Sequence, residues 1–129
     1  MKKITVVIPC VNQEESIAGF IKSFPRADLR KQSFTLELLV VDNNSSDNTA
    51  GVARAAGATV VHEPKPGKGN ALRTALYNIS KNTDYVVMCD GDNTYRADEI
   101  LRLVDLLDSG FADVAVGSRL SGKIAPGSM

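Results

Sequence analysis

Two aspartates separated by one glycine, Asp90-Gly91-Asp92, follow directly on the apolar run Tyr85 to Cys89. A run rich in β-branched and aromatic residues, broken off abruptly by polar ones, reads as a buried strand that delivers two carboxylates at its end. In an extended chain those side chains point to opposite faces, but Gly91 permits a sharp turn, so both can reach one bound cation. Carboxylate oxygens favour hard ions such as Mg²⁺ or Mn²⁺, and such an ion usually also holds phosphate oxygens of a substrate. The chemistry these residues suggest is a metal-diphosphate site. Asp-Gly-Asp alone reads more readily as a polar turn, so its meaning depends on what the other elements bring beside it.

Those elements alternate. Ile4 to Ile8 is a β-branched strand stopped by Pro9, after which Asn12 caps a helix and Glu15 supplies the third-position carboxylate of a capping box. Ile17, Phe20, Ile21 and Phe24 repeat at helical spacing, Pro25 to Thr35 is a charged connection without a pattern of its own, and Leu36 to Val41 is a second strand ending in Asp42-Asn43-Asn44-Ser45-Ser46. Thr49 to Ala56 is a small-residue helix, capped from the Ser-Ser-Asp segment and closed by Gly57. A third strand, Ala58 to Val61, ends in His62, Glu63 and Pro64, and the basic, glycine-containing loop Pro64 to Asn70 follows. Ala71, Leu72, Ala75, Leu76 and Ile79 mark one side of the next helix. After the fourth strand, Tyr85 to Cys89, a helix carries Ile100, Leu103, Val104 and Leu107 and stops at Gly110, and Ala112 to Val116 is a fifth strand running into Gly117-Ser118-Arg119.

Strands alternating with helices imply a doubly wound, mainly parallel open sheet with helices on both faces, an α/β, Rossmann-like arrangement. All parallel strands point the same way, so Pro9 to Gln13, Asp42 to Ser46, His62 to Glu63, Asp90 to Asn93 and Gly117 to Arg119 must share one edge of the sheet. Ligands of such sheets bind outside the carboxyl ends of the strands, where the winding reverses.

Residues 1–129 read as one domain, since 43% hydrophobic and 23% charged residues are ordinary for a globular fold of this length. Fifteen basic side chains balance fifteen acidic ones, so no basic field exists to collect nucleic acid. The short apolar start, ended by Pro9, is unlike a signal peptide, and no run approaches the roughly twenty apolar residues of a membrane helix. These features predict a cytoplasmic location. Cys10 and Cys89 are too few for a disulfide framework and lack zinc spacing, so both are expected as reduced thiols.

Several chemistries are absent. No Gly-x-Gly-x-x-Gly follows the first strand, as a nicotinamide enzyme would require, and no Gly-x-x-x-x-Gly-Lys-Ser/Thr supports a Walker-type NTPase. No serine-histidine-acid or cysteine-histidine arrangement can be assembled, and the single histidine, His62, reads as a solvated or capping group more readily than as a base. Gly67, Lys68 and Gly69, placed before a helix, can hold phosphate or a base through backbone donors and one positive charge. What survives is a nucleotide-diphosphate site with a divalent cation.

Five stretches carry a family resemblance: Val-Val-Ile-Pro-Cys-Val-Asn-Gln-Glu-Glu-Ser-Ile, Val-Val-Asp-Asn-Asn-Ser-Ser-Asp-Asn-Thr, Pro-Gly-Lys-Gly-Asn-Ala-Leu-Arg, Cys-Asp-Gly-Asp-Asn and Val-Gly-Ser-Arg. In this order they resemble the successive motifs of the family-two inverting glycosyltransferases with the GT-A fold, and they cover almost the whole chain. The Gly-Ser-Arg ending and the Gly-Lys-Ile that follows are most similar to the dolichyl- or polyprenyl-phosphate sugar transferases. The resemblance implies a nucleotide-diphosphate sugar, of the UDP-glucose or GDP-mannose type, bound with Mg²⁺ or Mn²⁺. It implies that Pro9, Val11 and Gln13 line the nucleotide, that Asp42 accepts a hydrogen bond from the base, and that Gly67, Lys68 and Gly69 flank it. Asp90, Gly91 and Asp92 match the acid-any-acid motif, with Asp90 and Asp92 as metal ligands, Asp92 the main one, and Asn93 assisting. Asp92 and Arg119 are then the catalytic pair, Arg119 facing the phosphates with a planar set of donors that lysine lacks.

The family often has an aromatic at position 11, an acid at 13 and Asp-Gly after Asp42, whereas this chain has Val11, Gln13 and Asn43-Asn44. Asn44 can adopt the left-handed turn that glycine would. No carboxylate fits the role of a general base, which a hydroxyl acceptor would need and an anionic polyprenyl phosphate would not; a glycan acceptor is the alternative. A sugar-phosphate nucleotidyltransferase would need a glycine- and arginine-rich loop after the first strand, where this chain has Pro-Cys-Val-Asn-Gln-Glu-Glu. A non-catalytic nucleotide-binding fragment is the rival from another class. The resemblance further leads one to expect that these residues are the donor-binding part of a longer, truncated enzyme. Its membrane contacts would then lie in segments absent from this chain, at the cytoplasmic face, and self-association could run through an exposed sheet edge.

Overall fold

A computed structural model describes residues 1–89, 97–109 and 115–117. In chain order the elements are β1 (Lys2–Cys10), α1 (Ile17–Lys22), α2 (Arg26–Lys31), β2 (Phe34–Asp42), α3 (Thr49–Ala55), β3 (Thr59–His62), α4 (Lys68–Asn78), β4 (Tyr85–Cys89), α5 (Ala97–Asp108) and β5 (Ala115–Gly117). The strands form one parallel sheet in the order β3-β2-β1-β4-β5. The chain therefore steps from β1 outward to β3, then crosses back to the other side of β1. The winding reverses between β1 and β4, the position at which open α/β sheets place their ligands.

Strand alternation divides the core into two layers. Ile4, Val6, Ile8 and Cys10 of β1, with Leu38 and Val40 of β2 and Val87 of β4, pack against Ile17, Phe20 and Ile21 of α1, Leu29 of α2, Ala53 of α3 and Ile100, Leu103 and Val104 of α5. On the opposite face Val7, Leu39 and Val41 meet Ala71 and Ala75 of α4. The small side chains of α4 let it lie close to the sheet while it carries the chain back across β2 and β1.

The structure corrects the expected boundaries in four places. Pro9 does not stop β1, which continues to Cys10. On the β4 side Lys3 O accepts from Asp84 N and Lys3 N donates to Asp84 Oδ2, while on the β2 side Cys10 O accepts from Asn43 N. By alternation the missing N–H of Pro9 then faces the β4 side, beyond the last paired residue there, Val7 with Met88, so no ladder bond is lost. The expected charged connection at 25–35 holds α2, which follows Pro25, has Asp28 in its first turn and Arg30 and Lys31 in its last, and buries only Leu29. Those charges suit the helix dipole, but one apolar residue leaves no periodicity to read.

The expected cap at Asn12 is absent: α1 begins after Ser16, without a side-chain cap bond, and Asn12 sits at φ +52° in the preceding loop. Leu76, expected on the apolar side of α4, is 58% exposed, because Ala71 and Ala75 alone face the sheet squarely. Other features agree with expectation. Gly57 closes α3 at φ +104°, its N–H donating to Arg54 O while Ala58 N donates to Ala53 O, and Asn44 takes the left-handed turn at φ +63°. Of the expected fifth strand, β5 is described from Ala115, and 110–114 lie outside the described residues.

Candidate functional site

Register brings the first polar ends level. Cys10 pairs with Asp42, and Asp42 with His62, so the ends of β1, β2 and β3 finish on one line. Asn43 N donates to Cys10 O, and Glu63 N donates to Asp42 O, each at 2.9 Å. The loops leaving the three strands thus start from one hydrogen-bonded rim.

The loops after β1 and β2 are then fastened to each other. Asn12 N donates to Ser45 Oγ at 2.9 Å, Gln13 N to Thr49 Oγ1 at 2.9 Å, and Glu14 N to Asp47 Oδ2 at 3.2 Å. In return Ser46 N donates to Asn12 Oδ1 at 2.9 Å, and Asn48 N to Glu14 Oε1 at 3.1 Å. This reciprocal clasp uses polar side chains where neither loop has a ladder partner, so the backbone donors on both sides are satisfied. Asp47 also accepts from the backbone N–H of Thr49 at 3.0 Å and from its hydroxyl, and that hydroxyl bond is the main reason its carboxyl titrates below the usual range. The expected cap of α3 from the Ser-Ser-Asp segment is not formed as such: the cap position is Asn48, without a side-chain cap bond, and Asp47, one residue earlier, accepts from Thr49 N.

Asp42, expected at the base, is buried, 6% exposed, at the end of β2. Its Oδ1 accepts from Ser45 N at 3.0 Å, and its Oδ2 lies 3.8 Å from His62 Nδ1. One oxygen is therefore committed to holding the turn, and the other lies near the imidazole of His62. His62, with a side chain 54% exposed, borders that oxygen from the edge strand. Pro9, half-buried, pairs with Val41, the residue before Asp42, and Val11 is 48% exposed. Gln13 lies in the clasp, its Oε1 accepting from Ser16 Oγ at 2.8 Å, which turns its side chain toward its own loop. A cavity of about 380 Å³ lined by Asn12, Gln13, Glu14, Glu15, Ser16 and Asp47 borders that loop, and it takes in neither Asp42 nor Gly67.

The basic loop comes to the same rim from β3. Gly67, at φ +111°, precedes α4, so Lys68 and Gly69 belong to the first turn of the helix rather than to a loop. Glu63 anchors the loop from below: it accepts from Lys65 N at 2.8 Å and from the Thr74 hydroxyl, the latter bond first among those that lower its carboxyl. Cys10, buried under the rim, has its thiol pushed up to about 12, by burial first and then by the charges of Asp42 and Asp47, which marks it as core rather than nucleophile.

Asp90, Gly91, Asp92, Asn93 and Arg119 lie outside the described residues. Among the described residues no group of three or more His, Cys, Asp or Glu side chains is placed to hold a metal ion, and no helix is long and apolar enough to cross a membrane. Two features of the site escaped the sequence reading: the clasp, and the side chain of Asn43, which donates to Glu63 O at 3.2 Å and Lys65 O at 2.6 Å and accepts from Gly67 N at 3.0 Å. The Asn- and Ser-rich ends of β2 were the available signal, since such side chains bond neighbouring backbone in turns.

Comparison with known proteins places the fold in a family. The chain is 40% identical over 116 residues to the uncharacterized glycosyltransferase Rv0539 of Mycobacterium tuberculosis, a match covering 90% of this chain and 48% of that one. It is 29% identical over 118 residues to the dolichyl-phosphate hexose transferase of Haloferax volcanii, covering 92% and 48%. The chain thus spans about half the length of these curated relatives. Among solved structures, glucosyl-3-phosphoglycerate synthase from Mycobacterium tuberculosis in complex with Mn²⁺, UDP and phosphoglyceric acid superimposes with a TM-score of 0.68 at 34% identity, covering 82% of this chain and 39% of that one. The same synthase has been solved with Mg²⁺ and UDP. The family model for glycosyl transferase family 2 matches residues 5–129, and the chain belongs to that family, with the GT-A fold of its structural relatives.

Proposed function

We propose that this chain binds a nucleotide-diphosphate sugar, of the UDP-glucose or GDP-mannose type, and serves as the donor-binding part of an enzyme that transfers the hexose to a polyprenyl phosphate. The observation that carries the reading is Asp42: a buried carboxylate at the rim where the β1, β2 and β3 strands end level, with one oxygen committed to Ser45 N and the other 3.8 Å from His62 Nδ1. A single acceptor so placed suits the N–H of a base edge, with Pro9 and Val11 on one side and Gly67 to Gly69 on the other. Gln13 would contribute through its backbone, since its side chain is bonded to Ser16.

In the sequence Asp90 and Asp92 follow β4, the strand that lies next to β1 where the winding reverses, and their hard oxygen donors would fit Mg²⁺ or Mn²⁺, with Asn93 assisting. A divalent cation held by these residues would compensate the negative charge that grows on the departing nucleoside diphosphate. Arg119 would clamp the same phosphates through its planar donors. The acceptor's oxygen attacks the anomeric carbon as the bond to the diphosphate breaks, and an acceptor that is already a phosphate anion needs no base to remove a proton. This agrees with the lack of a candidate base, and one relative is named as a dolichyl-phosphate hexose transferase.

The test assays this chain and a C-terminally extended protein side by side with nucleotide sugar and polyprenyl phosphate. Transfer only by the longer protein, with donor binding by both, is the expected result. Comparable transfer by both would place the acceptor site within residues 1–129, and donor binding without transfer by either would favour a non-catalytic module.

A further inference from the structure

Asn43 stands next to Asp42, and its side chain is spent on the segment between β3 and α4. Its Nδ2 donates to Glu63 O and Lys65 O, and its Oδ1 accepts from Gly67 N. Its own backbone is fixed as well, because Asn43 N donates to Cys10 O. One residue therefore ties the ends of β1 and β2 to the turn that opens α4.

Among the described residues, the other bonds that place that segment run through Glu63, whose N–H donates to Asp42 O and whose carboxylate accepts from the Thr74 hydroxyl of α4. Pro64 and Pro66 have no N–H, so Glu63, Lys65 and Gly67 are the backbone donors of 63–67. Glu63 N goes to Asp42 O, Lys65 N to the segment's own Glu63 carboxylate, and Gly67 N to Asn43. Of the acceptors, Glu63 O and Lys65 O go to Asn43, and Pro66 O accepts from Asn70 Nδ2 within the segment that follows. Beyond Glu63, the hydrogen bonds that set the segment's backbone relative to Asp42 are those of the Asn43 amide. The prolines stiffen the segment, and Gly67 turns it sharply, but neither decides how far it stands from β2.

We propose that Asn43 is a positioning residue for the donor's base. It sets the gap between Asp42 and the Gly67–Gly69 turn, and so selects which nucleoside diphosphate fits between them. The proposal rests on the nucleotide-sugar reading above. The chemistry required is that of an amide, two donors and one acceptor in one plane. An aspartate of the same shape could still accept from Gly67 N, but it would set a carboxylate against two carbonyl oxygens. The segment would then leave its place despite unchanged side-chain volume. A site that is competent for only a fraction of the time shows an apparent Kd raised by the inverse of that fraction.

The experiment compares the unaltered chain with Asn43→Asp and Asn43→Ala, titrating UDP, GDP and inorganic pyrophosphate calorimetrically with Mg²⁺ present, and following thermal unfolding. Expected are cooperative unfolding in both variants, a loss of about tenfold in affinity for the preferred nucleoside diphosphate, a narrowed preference between UDP and GDP, and pyrophosphate affinity within about twofold. The Gly67 amide should also lose hydrogen-exchange protection in Asn43→Ala. Should Asn43→Asp not fold, Asn43→Ala decides alone, and failure of both to fold overturns the proposal by making Asn43 a fold determinant. Unchanged UDP and GDP affinities in the variants overturn it while leaving nucleotide binding intact. A loss equal for pyrophosphate and nucleotides overturns it as well. Absence of binding by the unaltered chain sinks the nucleotide reading itself, and this role with it.

Discussion

Thr49→Val tests the clasp between the β1 and β2 loops with almost no change in shape. Thr49 is fully buried, and its hydroxyl oxygen accepts from Gln13 N at 2.9 Å while its proton goes to Asp47. Valine keeps the volume and removes both bonds. The Gln13 N–H loses its acceptor in a half-buried place, for which mutational experience gives about 1–2 kcal/mol. For a chain of this length that corresponds to a fall in Tm of roughly 3–10 °C. A second readout is electrostatic. The Thr49 hydroxyl is the leading cause of the lowered Asp47 carboxyl, so that carboxyl should titrate closer to its ordinary range in the variant. A depressed folded-state pKa contributes stability above the unfolded value and loses it as pH falls through the folded one. The stability gap between the two proteins should therefore be widest near neutral pH and shrink in acid, leaving the part that belongs to Gln13 N–H. Thermal unfolding from pH 7 downward, with carboxylate titration by NMR, measures both. A Tm unchanged within about 1 °C, with Asp47 titrating as in the unaltered chain, would show that the clasp is not formed.

Asp42→Asn should weaken UDP or GDP binding by about tenfold or more, the worth of one charge-assisted bond, and calorimetry giving equal affinities would remove Asp42 from the base contact. Asp92→Asn should leave the thermal transition within about half a kcal/mol, as substitutions outside the core do, while abolishing the gain in nucleotide affinity that Mg²⁺ or Mn²⁺ gives; an unfolded variant would make Asp92 structural. With its thiol pushed up to about 12, Cys10 should be inert to thiol reagents at pH 8 until the protein is unfolded by denaturant, and rapid labelling of the native chain at Cys10 would contradict its burial.

What the sequence disclosed follows from how many residues carried each signal. β1, β2 and β4 are runs of β-branched and aliphatic residues bounded by polar ones, so strand identity, the parallel sheet and its ligand-bearing edge could be read directly. α2 could not, because a helix resting on Leu29 alone has no repeat. Leu76 misled because helical spacing says which residues share a face but not how wide a face the sheet covers, and here two alanines suffice. Asp42 and the glycines of the 67–69 turn could be singled out because their residue types are few and their places after strands are fixed, and the structure brings them to one rim. The clasp was hidden because its bonds join residues more than thirty positions apart, and only the register of Cys10 with Asp42 brings those loops together. Asn43 was visible only as a departure from the family pattern; its use appears once β3 and the 63–67 segment are placed beside it.

The central claim is metal-assisted binding of a nucleoside diphosphate at the rim bounded by Pro9, Asp42 and Gly67, with Asp90 and Asp92 proposed as the metal's ligands. Isothermal titration of the chain with UDP and with GDP, each with Mn²⁺ or Mg²⁺ and again with a chelator, tests it most directly. One of the two nucleotides should bind, more tightly with the metal, and the binding should weaken in Asp42→Asn. Equal affinity with metal and with chelator, or no binding of either nucleotide, would contradict it.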